Sequence, residues 1–325
     1  MIYTQKEVLE LVEKQIQNLP LDRNPKQLYE PIRYIMSLGG KRIRPVLTLM
    51  SANLFKEDLS EFVKTAVALE IFHNFTLLHD DVMDKADIRR GKPTAHKKWN
   101  DNVAILSGDA MLIESYKYIA EIPDTKLRGA LNLFSQTAME VCEGQQYDME
   151  FENRLDVNEE EYMEMIRLKT AVLLACALKM GSILGGTSAK DSDLLYNFGI
   201  NIGLAFQLQD DLLDVYGDPA VFGKNIGGDI VSNKKTFLLI KALELSSDSQ
   251  RNDLNNWIAK KDFAADEKIK SVKAIYESLH LKELSEKKIE EYFKIGIQNL
   301  EEVSVDEDRK NNLIQLAHSL MYRDK

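Results

Sequence analysis

Helix-type spacing of apolar residues runs through almost the whole chain and constrains the fold more than any other sequence feature. In residues 58–84, apolar side chains recur every three or four positions, which is the spacing of one helix face. A second long segment covers residues 191–216, and Gly217-Asp218-Pro219 ends it. A third covers residues 157–185, and its part at 171–178 is apolar on nearly all sides, as in a buried helix. Strand alternation is hard to find, so the pattern predicts an all-α protein.

The remaining periodic segments predict further helices without a long linker between them. A chain of 325 residues with 44% hydrophobic content can bury a large core. We therefore predict one all-α domain over residues 1–325, with the stretch at 85–100 as the longest polar connection in its first half. The other predicted helices cover residues 5–19, 26–37, 45–55, 102–121, 125–152, 233–245, 250–260, 266–279, 284–300 and 307–321.

Composition narrows the functional classes. The formal net charge of −10 disfavours a nucleic-acid partner. The first residues lack the pattern of a signal peptide, and no uncharged apolar run reaches the length of a membrane span. Cys142 and Cys176 have no metal-ligand partner nearby in sequence, so we expect two buried thiols in a reducing compartment. These features predict a soluble cytoplasmic protein without stable membrane insertion.

Two aspartate-rich patches fall at the ends of strongly apolar helix segments. The sequence Asp-Asp-Val-Met-Asp occupies residues 80–84, and Asp-Asp-Leu-Leu-Asp occupies residues 210–214. The first and last carboxylates of each patch are one helical turn apart and share a face. A helix C-terminus disfavours each anion by roughly 0.3–1 kcal/mol. A solvated acidic helix end is the plain interpretation of one such patch, but two matching patches indicate a divalent cation, and oxygen ligands favour Mg²⁺.

Basic residues near the first patch indicate a phosphate-bearing ligand. Mg²⁺ held by few carboxylates normally takes phosphate oxygens as its other ligands. The loop Gly-Gly-Lys-Arg-Ile-Arg-Pro at residues 39–45 carries three positive charges, and Arg89 and Arg90 follow Asp84 closely. Arginine binds phosphate through two parallel hydrogen bonds. The residues alone therefore predict a magnesium site that binds a phosphate-bearing ligand.

The motifs resemble those of the trans-isoprenyl diphosphate synthases. Leu-Leu-His-Asp-Asp-Val-Met-Asp at 77–84, with Arg-Arg-Gly-Lys-Pro-Thr at 89–94, resembles the first aspartate-rich motif of that family, and Phe-Gln-Leu-Gln-Asp-Asp-Leu-Leu-Asp at 206–214 resembles the second. The loop at 39–45 resembles the early basic motif. Gly108-Asp109-Ala110, Lys169-Thr170, Gly223-Lys224 and Gly227-Gly228-Asp229-Ile230 also match in order, and the resemblance runs from about residue 30 to residue 320.

The resemblance implies an all-α bundle of isoprenoid synthase type, with about ten or more helices around a central catalytic cavity. It implies a head-to-tail condensation of an allylic diphosphate with isopentenyl diphosphate, three Mg²⁺ ions with substrate bound, and a homodimer. The residues that would hold Mg²⁺ with the allylic diphosphate are Asp80, Asp84 and Asp210, supported by Asp81 and Asp214. The residues that would bind the same diphosphate are Arg89, Lys169, Lys224 and Lys234. Those that would bind isopentenyl diphosphate are Lys41, Arg44, His73 and Arg90.

The same resemblance gives Thr170 and Gln207 the stabilisation of an allylic carbocation, for which neutral dipoles suit because they do not readily trap the cation. The helix position of His73 alone favours a core histidine, and only the resemblance makes it a diphosphate ligand. The chain contains no obvious Ser-His-Asp or Cys-His set. The proton that is lost passes to the released diphosphate in this family, so no dedicated protein base is needed.

Product length in the family depends on residues before the first motif. Phe75 lies five residues before Asp80 and the small Thr76 lies four before it, a pattern similar to that of short-chain geranylgeranyl diphosphate synthases. This favours a C20 product, with C15 next. Ideal helix geometry places Phe75 off the Asp80 face, so Met111, Ser115 and Tyr116 stay alternative candidates for the end of the tunnel.

Two other functions fit parts of the pattern. A class I terpene cyclase usually pairs one aspartate motif with an Asn/Ser/Glu metal motif, whereas this chain has a second Asp-Asp-x-x-Asp. A non-catalytic subunit of a heteromeric prenyl synthase typically lacks one aspartate motif, and both are intact here.

Overall fold

The computed structural model describes residues 2–218 and 226–321 of the chain. Residues 1–135, 176–193 and 304–313 form one compact unit, which we call unit 1. Residues 136–175, 194–303 and 314–325 form the second, which we call unit 2. That the whole chain acts as a single domain stays a prediction.

The described residues are mostly helical, which confirms the all-α fold class. In the first half of the chain, the helices are α1 Gln5–Gln17, α2 Lys26–Ser37, α3 Ile43–Asn53, α4 Val63–Met83, α5 Ala95–Lys98, α6 Asp101–Ile119 and α7 Asp124–Phe151. In the second half, they are α8 Glu159–Ile166, α9 Val172–Gly185, α10 Ala189–Tyr216, α11 Gly228–Ser232, α12 Phe237–Leu245, α13 Asp248–Ala259, α14 Ala265–Ser278, α15 Leu281–Glu301 and α16 Glu307–Met321.

Several helix boundaries follow from capping residues. Thr4 and Glu7 form a capping box at the start of α1, and Ser247 and Gln250 form another before α13. The start of α4 differs from the expectation. A 3₁₀ turn covers Ser60–Phe62, and Asp58 accepts a hydrogen bond from the Ser60 amide at 2.9 Å, so the α-helix begins only at Val63.

Two segments depart further from the predicted pattern. The polar connection at 85–100 contains two short antiparallel strands, β1 Ile88–Arg89 and β2 Lys92–Pro93, followed by α5. The helix predicted at 233–245 begins at Phe237 instead. Asn233 has a left-handed backbone (φ 58°) that ends α11, and Thr236 then caps α12 by accepting from the Leu239 amide. A left-handed residue cannot continue an α-helix, so the segment divides.

The core of unit 1 is built on α4, which packs most extensively against α6 and also against α3. Gly108 of α6 permits this approach: a Cβ atom at that position would lie 2.2 Å from Nε2 of His79. The His79 ring nitrogen is also 3.0 Å from the Ile105 carbonyl oxygen. A glycine is therefore required where the His79 ring crosses α6.

The distinctive element of unit 2 is a π-helical turn at Arg167–Ala171, between α8 and α9. Two glycines of other helices lie against it. A Cβ atom on Gly144 of α7 would lie 2.3 Å from the Lys169 amide nitrogen, and one on Gly203 of α10 would lie 2.6 Å from Cα of Ala171. Glycine is therefore required at both positions by the close approach of the backbones. Single π turns inside α-helices are rare and often occur at functional sites.

Residues 159–185 form the one described helical segment that is long and apolar enough to cross a membrane, and 78% of its most apolar window is buried inside the fold. Such burial is typical of a core helix of a soluble protein. Residues 171–178 are all buried, as predicted. Cys176 is buried, but Cys142 is exposed, so the prediction of two buried thiols was wrong for Cys142. Cys142 lies in a helix with regular apolar spacing, but that spacing does not show which face of the helix is buried.

Candidate active site

The first aspartate patch occupies the last turn of α4. Asp84 is the C-cap residue, and its amide donates to the Asp80 carbonyl oxygen at 2.8 Å. Asp81 is buried, and both of its carboxylate oxygens accept from Nε of Arg89 at 2.8 Å. Nη2 of Arg89 approaches Asp81 to 2.6 Å. The hairpin β1–β2 thus returns Arg89 to the helix end, where it neutralises the middle carboxylate of the patch.

The glycine-led loop at 39–45 lies against the same hairpin. Gly39 and Gly40 have φ values of 75° and 133°, which only glycine adopts readily. Arg90 donates through Nη1 to the Gly39 carbonyl oxygen. A Cβ atom on Gly40 would lie 2.8 Å from the Arg90 guanidinium. The two glycines therefore let the loop and Arg90 approach each other.

Arg42, in the middle of that loop, is a structural residue. It is 3% exposed and donates to Glu13 at 2.9 Å, to Glu70 at 2.9 Å and to the Met36 carbonyl oxygen at 2.6 Å. Its donors are therefore used inside unit 1. The structure distinguishes Arg42 from Lys41, which is exposed, and from Arg44, which is the second residue of α3.

Arg44 and His73 lie in a strongly positive region of unit 1. Burial, together with Arg90, lowers the pKa of Arg44 to about 10 against the opposing effect of Glu70. Its Nε atom is buried and has no hydrogen-bond partner among the described residues. Burial lowers the pKa of His73 well below its usual value, and Arg44, Arg90 and Arg89 lower it further. His73 is therefore neutral and lies in the positive field of several guanidinium groups, which is a suitable environment for an anion.

The side chains assigned to product length lie on the same helix. Thr76 is half-buried and donates to the His73 carbonyl oxygen at 2.8 Å. Phe75 is buried and packs its ring on Phe72 at 5.5 Å and on His79 at 4.8 Å. Phe75 thus belongs to the His79 face of α4, as ideal helix geometry predicts. Aromatic contacts continue from Phe72 to Phe134, whose ring lies 4.9 Å from that of Tyr116.

The second aspartate patch lies near the end of α10, in unit 2. Asp214 accepts from the Asp229 amide at 2.9 Å, and its carbonyl oxygen accepts from the Gly227 amide at 2.6 Å. The aspartate motif therefore holds the start of α11. Asp211 is buried and accepts from the Tyr162 hydroxyl at 2.5 Å and from Nε2 of Gln207 at 2.9 Å.

Lys169 and Thr170 lie on the π turn described above. Nζ of Lys169 is 2.6 Å from Oδ2 of Asp148 on α7. The Thr170 hydroxyl donates to Oε1 of Gln207 at 2.9 Å. The structure therefore brings Thr170 and Gln207 together, as the resemblance implied. It also pairs Lys169 with Asp148 and Gln207 with Asp211, and the sequence left both of these aspartates without a role.

Lys234 follows α11, and its amide donates to the Asp229 carbonyl oxygen at 2.9 Å. Its positive charge acts to lower the pKa of both Asp211 and Asp229. Lys234 is thus close to the carboxylates of unit 2. Lys224, which was given a similar role, lies outside the described residues.

Negative charge is concentrated in this part of unit 2. Burial raises the pKa of Asp229 to about 7; Lys234 opposes the rise, and Asp211, Asp214 and Asp148 add to it. A divalent cation would offset such an excess of negative charge. In residues 2–218 and 226–321, no three His, Cys, Asp or Glu side chains converge closely enough to hold an ion alone. The all-oxygen donor set fits Mg²⁺ that takes its remaining ligands from phosphate and water.

Four residues of the site were not assigned from the sequence: Asp148, Tyr162, Asp211 and Asp229. Asp211 and Asp229 lie inside motifs identified in the sequence, but the sequence does not show which residues contact them. Tyr162 occupies an ordinary buried position of α8 and carries no sequence signal. Its contact with Asp211 joins residues 49 positions apart.

Comparisons with known proteins agree with this arrangement. The family model described as polyprenyl synthetase matches residues 25–278. A short chain isoprenyl diphosphate synthase of Methanothermobacter thermautotrophicus is 41% identical over 246 residues, covering 75% of this chain and 76% of that protein. A geranylgeranyl pyrophosphate synthase of Geoglobus acetivorans is 35% identical over 321 residues, 98% of each chain. A crystal structure of geranylgeranyl pyrophosphate synthase is 44% identical, covers 100% of both chains and has a TM-score of 0.94.

Proposed function

Since the chain belongs to the polyprenyl synthetase family and is a prenyltransferase, we propose that it condenses an allylic diphosphate with isopentenyl diphosphate in a Mg²⁺-dependent reaction. The product proposed is the C20 trans-prenyl diphosphate. Relatives named geranylgeranyl diphosphate or pyrophosphate synthase support this length.

One observation carries the proposal. A neutral His73 lies among the guanidinium groups of Arg44, Arg89 and Arg90, on the same helix that ends in Asp80 and Asp84. The seven residues from His73 to Asp80 span about 10 Å of helix. Unit 1 therefore offers two binding regions on α4. Around His73, an anion can bind directly to positive side chains. At Asp80 and Asp84, an anion can bind through a bound cation. Two diphosphate substrates require both kinds of region.

The first of these regions is assigned to isopentenyl diphosphate, and Lys41, Arg44, His73 and Arg90 bind its diphosphate. His73 is uncharged, so it donates one hydrogen bond without adding charge. Arg44 contributes a guanidinium whose buried Nε has a hydrogen bond to donate. Gly39 and Gly40 bring Arg90 to this loop, because a side chain on Gly40 would collide with its guanidinium.

Asp80, Asp84, Asp210 and Asp214 would hold Mg²⁺, with three ions expected when the allylic diphosphate is bound. Bound Mg²⁺ supplies neutralisation of the charge that develops on the departing diphosphate. Asp81 acts differently. Both of its carboxylate oxygens accept hydrogen bonds from Arg89, so Asp81 orients the Arg89 guanidinium toward the diphosphate. Lys169, Lys234 and Lys224 contribute further positive charge.

Loss of diphosphate leaves an allylic carbocation, which the isopentenyl double bond attacks. Thr170, whose hydroxyl donates to Gln207, faces this cation with an oxygen dipole, and neither side chain carries a negative charge that would trap the cation. The carbocation then gives up a proton to the released diphosphate. The chain thus needs to bind, orient and shield its substrates, and supplies no protein base.

Product analysis of the purified protein tests this function. With Mg²⁺, isopentenyl diphosphate and dimethylallyl, geranyl or farnesyl diphosphate in turn, we expect geranylgeranyl diphosphate as the main product. A hydrocarbon formed from farnesyl diphosphate alone would identify a terpene cyclase instead. Absence of turnover by the isolated chain would identify a non-catalytic subunit, and products of C30 or beyond would refute the proposed length.

A Phe75→Ala enzyme is expected to shift the product distribution to longer chains. Phe75 is 9% exposed and fills the space between Phe72 and His79, so removing its ring opens a cavity beside α4. Chromatography of the dephosphorylated products measures the shift. Phe62→Ala is the matched control, since Phe62 is also buried in unit 1 but lies about 20 Å away along the helix. An unchanged distribution would assign the end of the tunnel to Met111, Ser115 or Tyr116.

The protein is further proposed to be a cytoplasmic homodimer. Large apolar side chains are exposed on α6 and on the part of α7 that belongs to unit 1, at Ile105, Leu106, Ile113 and Leu131. Exposed apolar residues concentrated on two long helices support a surface that a second copy covers. Sedimentation of the preparation used for product analysis gives the molecular mass, and a monomer would refute the dimer.

A further inference from the structure

Four side chains of unit 2 form one continuous chain of hydrogen bonds, which we call the relay. It begins at Tyr162 of α8, whose hydroxyl donates to Oδ2 of Asp211 at 2.5 Å. Oδ1 of Asp211 accepts from Nε2 of Gln207 at 2.9 Å, and Oε1 of Gln207 accepts from the Thr170 hydroxyl at 2.9 Å. Tyr162 and Asp211 are 1% and 4% exposed, so water does not compete for the first bond.

The donor and acceptor of each hydrogen bond in the relay can be assigned in order, starting from the buried Tyr162–Asp211 pair. The Tyr162 hydroxyl donates its proton to Asp211. A carboxylate offers only acceptors, and the Gln207 NH₂ group must therefore face it. The carbonyl oxygen of Gln207 is then directed to Thr170. The single proton of the Thr170 hydroxyl is used in this bond, and only lone pairs remain on its other side.

A reversed Gln207 amide would have the opposite electrical effect. Its NH₂ group would donate to Thr170, and the Thr170 proton would be free to point away from Gln207. A hydroxyl proton directed at a carbocation is repulsive, whereas a lone pair is attractive. The amide nitrogen and oxygen are nearly equal in size, so packing alone does not select between the two orientations.

We propose that Tyr162 is a positioning residue that, through Asp211, holds the Gln207 amide in the orientation that leaves Thr170 with only lone pairs for the cation. This role rests on the proposed function, because it concerns the carbocation of that reaction. Tyr162, a buried residue outside the family motifs, thereby affects the chemical step. The proposed role also explains why a second, non-terminal aspartate of the motif is buried rather than exposed to a metal.

Kinetics of a Tyr162→Phe enzyme test the proposal. The ring remains in place, and kcat is expected to fall about tenfold. The KM values of both substrates should change by less than about threefold, because no diphosphate contact is lost. Tyr276→Phe is the matched control, since Tyr276 is 2% exposed in unit 2 and takes no part in the relay. A kcat within about twofold of the wild-type value would overturn the proposal.

A second readout does not depend on turnover. In protein labelled with ¹⁵N-glutamine, the Gln207 side-chain amide signal is identified by its loss in Gln207→Leu. We expect that signal to shift in Tyr162→Phe and in Asp211→Asn, and to stay in place in Tyr276→Phe. Asp211→Asn keeps the shape of Asp211, so it decides the question if Tyr162→Phe does not fold. An unchanged Gln207 signal would refute the relay, whereas a wild-type protein without condensation activity would refute the proposed function alone.

Discussion

An Asp80→Asn enzyme is expected to lose about a thousandfold in kcat, because asparagine keeps the size of the side chain and removes its negative charge. Asp80 lies in the last turn of α4, one helical turn from Asp84. The proposed role of this pair is to hold Mg²⁺ against the allylic diphosphate. Loss of one of its few protein ligands weakens the binding of Mg²⁺, so the charge on the departing diphosphate is neutralised less. Initial rates measured across a Mg²⁺ titration should show both the lower kcat and a higher half-saturating Mg²⁺ concentration.

Asp87→Asn is the control for this substitution. Asp87 is three residues beyond Asp84, its side chain is 78% exposed, and its partner is Lys97 at 2.9 Å. Removing this charge should leave kcat and the Mg²⁺ requirement unchanged, since an exposed ion pair contributes little. If Asp80→Asn folds normally and keeps more than about a tenth of the wild-type kcat, the assignment of the first patch as a metal site is wrong.

Local sequence chemistry was sufficient to predict most helices of this fold. The bounds of α2 and α16 agree with the expected residues 26–37 and 307–321, and most others differ by a few positions. The two misjudged regions have a physical reason in common. Strands of two residues have no measurable periodicity, and the left-handed Asn233 that ends α11 is held by Lys268, 35 residues away, at 2.6 Å from Oδ1 of Asn233. Long-range contacts of this kind are invisible in a local pattern.

The candidate site shows the same division. The aspartates, Lys169-Thr170 and Gln207 were found by motif, and the structure places Thr170 and Gln207 in direct contact. The residues that contact them were not predicted, because those contacts depend on how the helices pack together. Gly144 and Gly203 permit the π turn that carries Lys169 and Thr170, yet in the sequence they are two isolated glycines inside helices. The roles of Arg42 and Arg44 differ for a similar reason: only the fold reveals that Glu70 lies beneath Arg42.

Replacing Arg42 by methionine is expected to lower the free energy of unfolding by about 3–5 kcal/mol, the usual effect of breaking a buried ion pair. The side chains of Arg42 and Glu70 are 1% and 2% exposed and approach to 2.9 Å. Without the guanidinium, the Glu70 carboxylate loses its positive partner and keeps the hydrogen bond that the Asn74 side-chain amide donates at 3.0 Å. The Met36 carbonyl oxygen also loses the hydrogen bond that Arg42 donates to it. Urea unfolding at neutral pH measures the change, and Lys64→Met, which breaks the exposed pair with Glu121, is the control and should scarcely alter stability.

The same substitution separates structural support from substrate binding. Arg42 has a left-handed backbone (φ 46°) at the start of α3, between the exposed Lys41 and the half-buried Arg44. If Arg42 acts by holding this loop, the KM for isopentenyl diphosphate should rise in Arg42→Met, while the Mg²⁺ requirement stays unchanged. Adding Glu70→Leu removes the unpaired carboxylate and should restore most of the lost stability, because an apolar pair can replace a buried ion pair. If the double variant is no more stable than Arg42→Met, the unpaired Glu70 charge is not the cause of the loss, and the buried ion pair does not hold the loop in the way proposed.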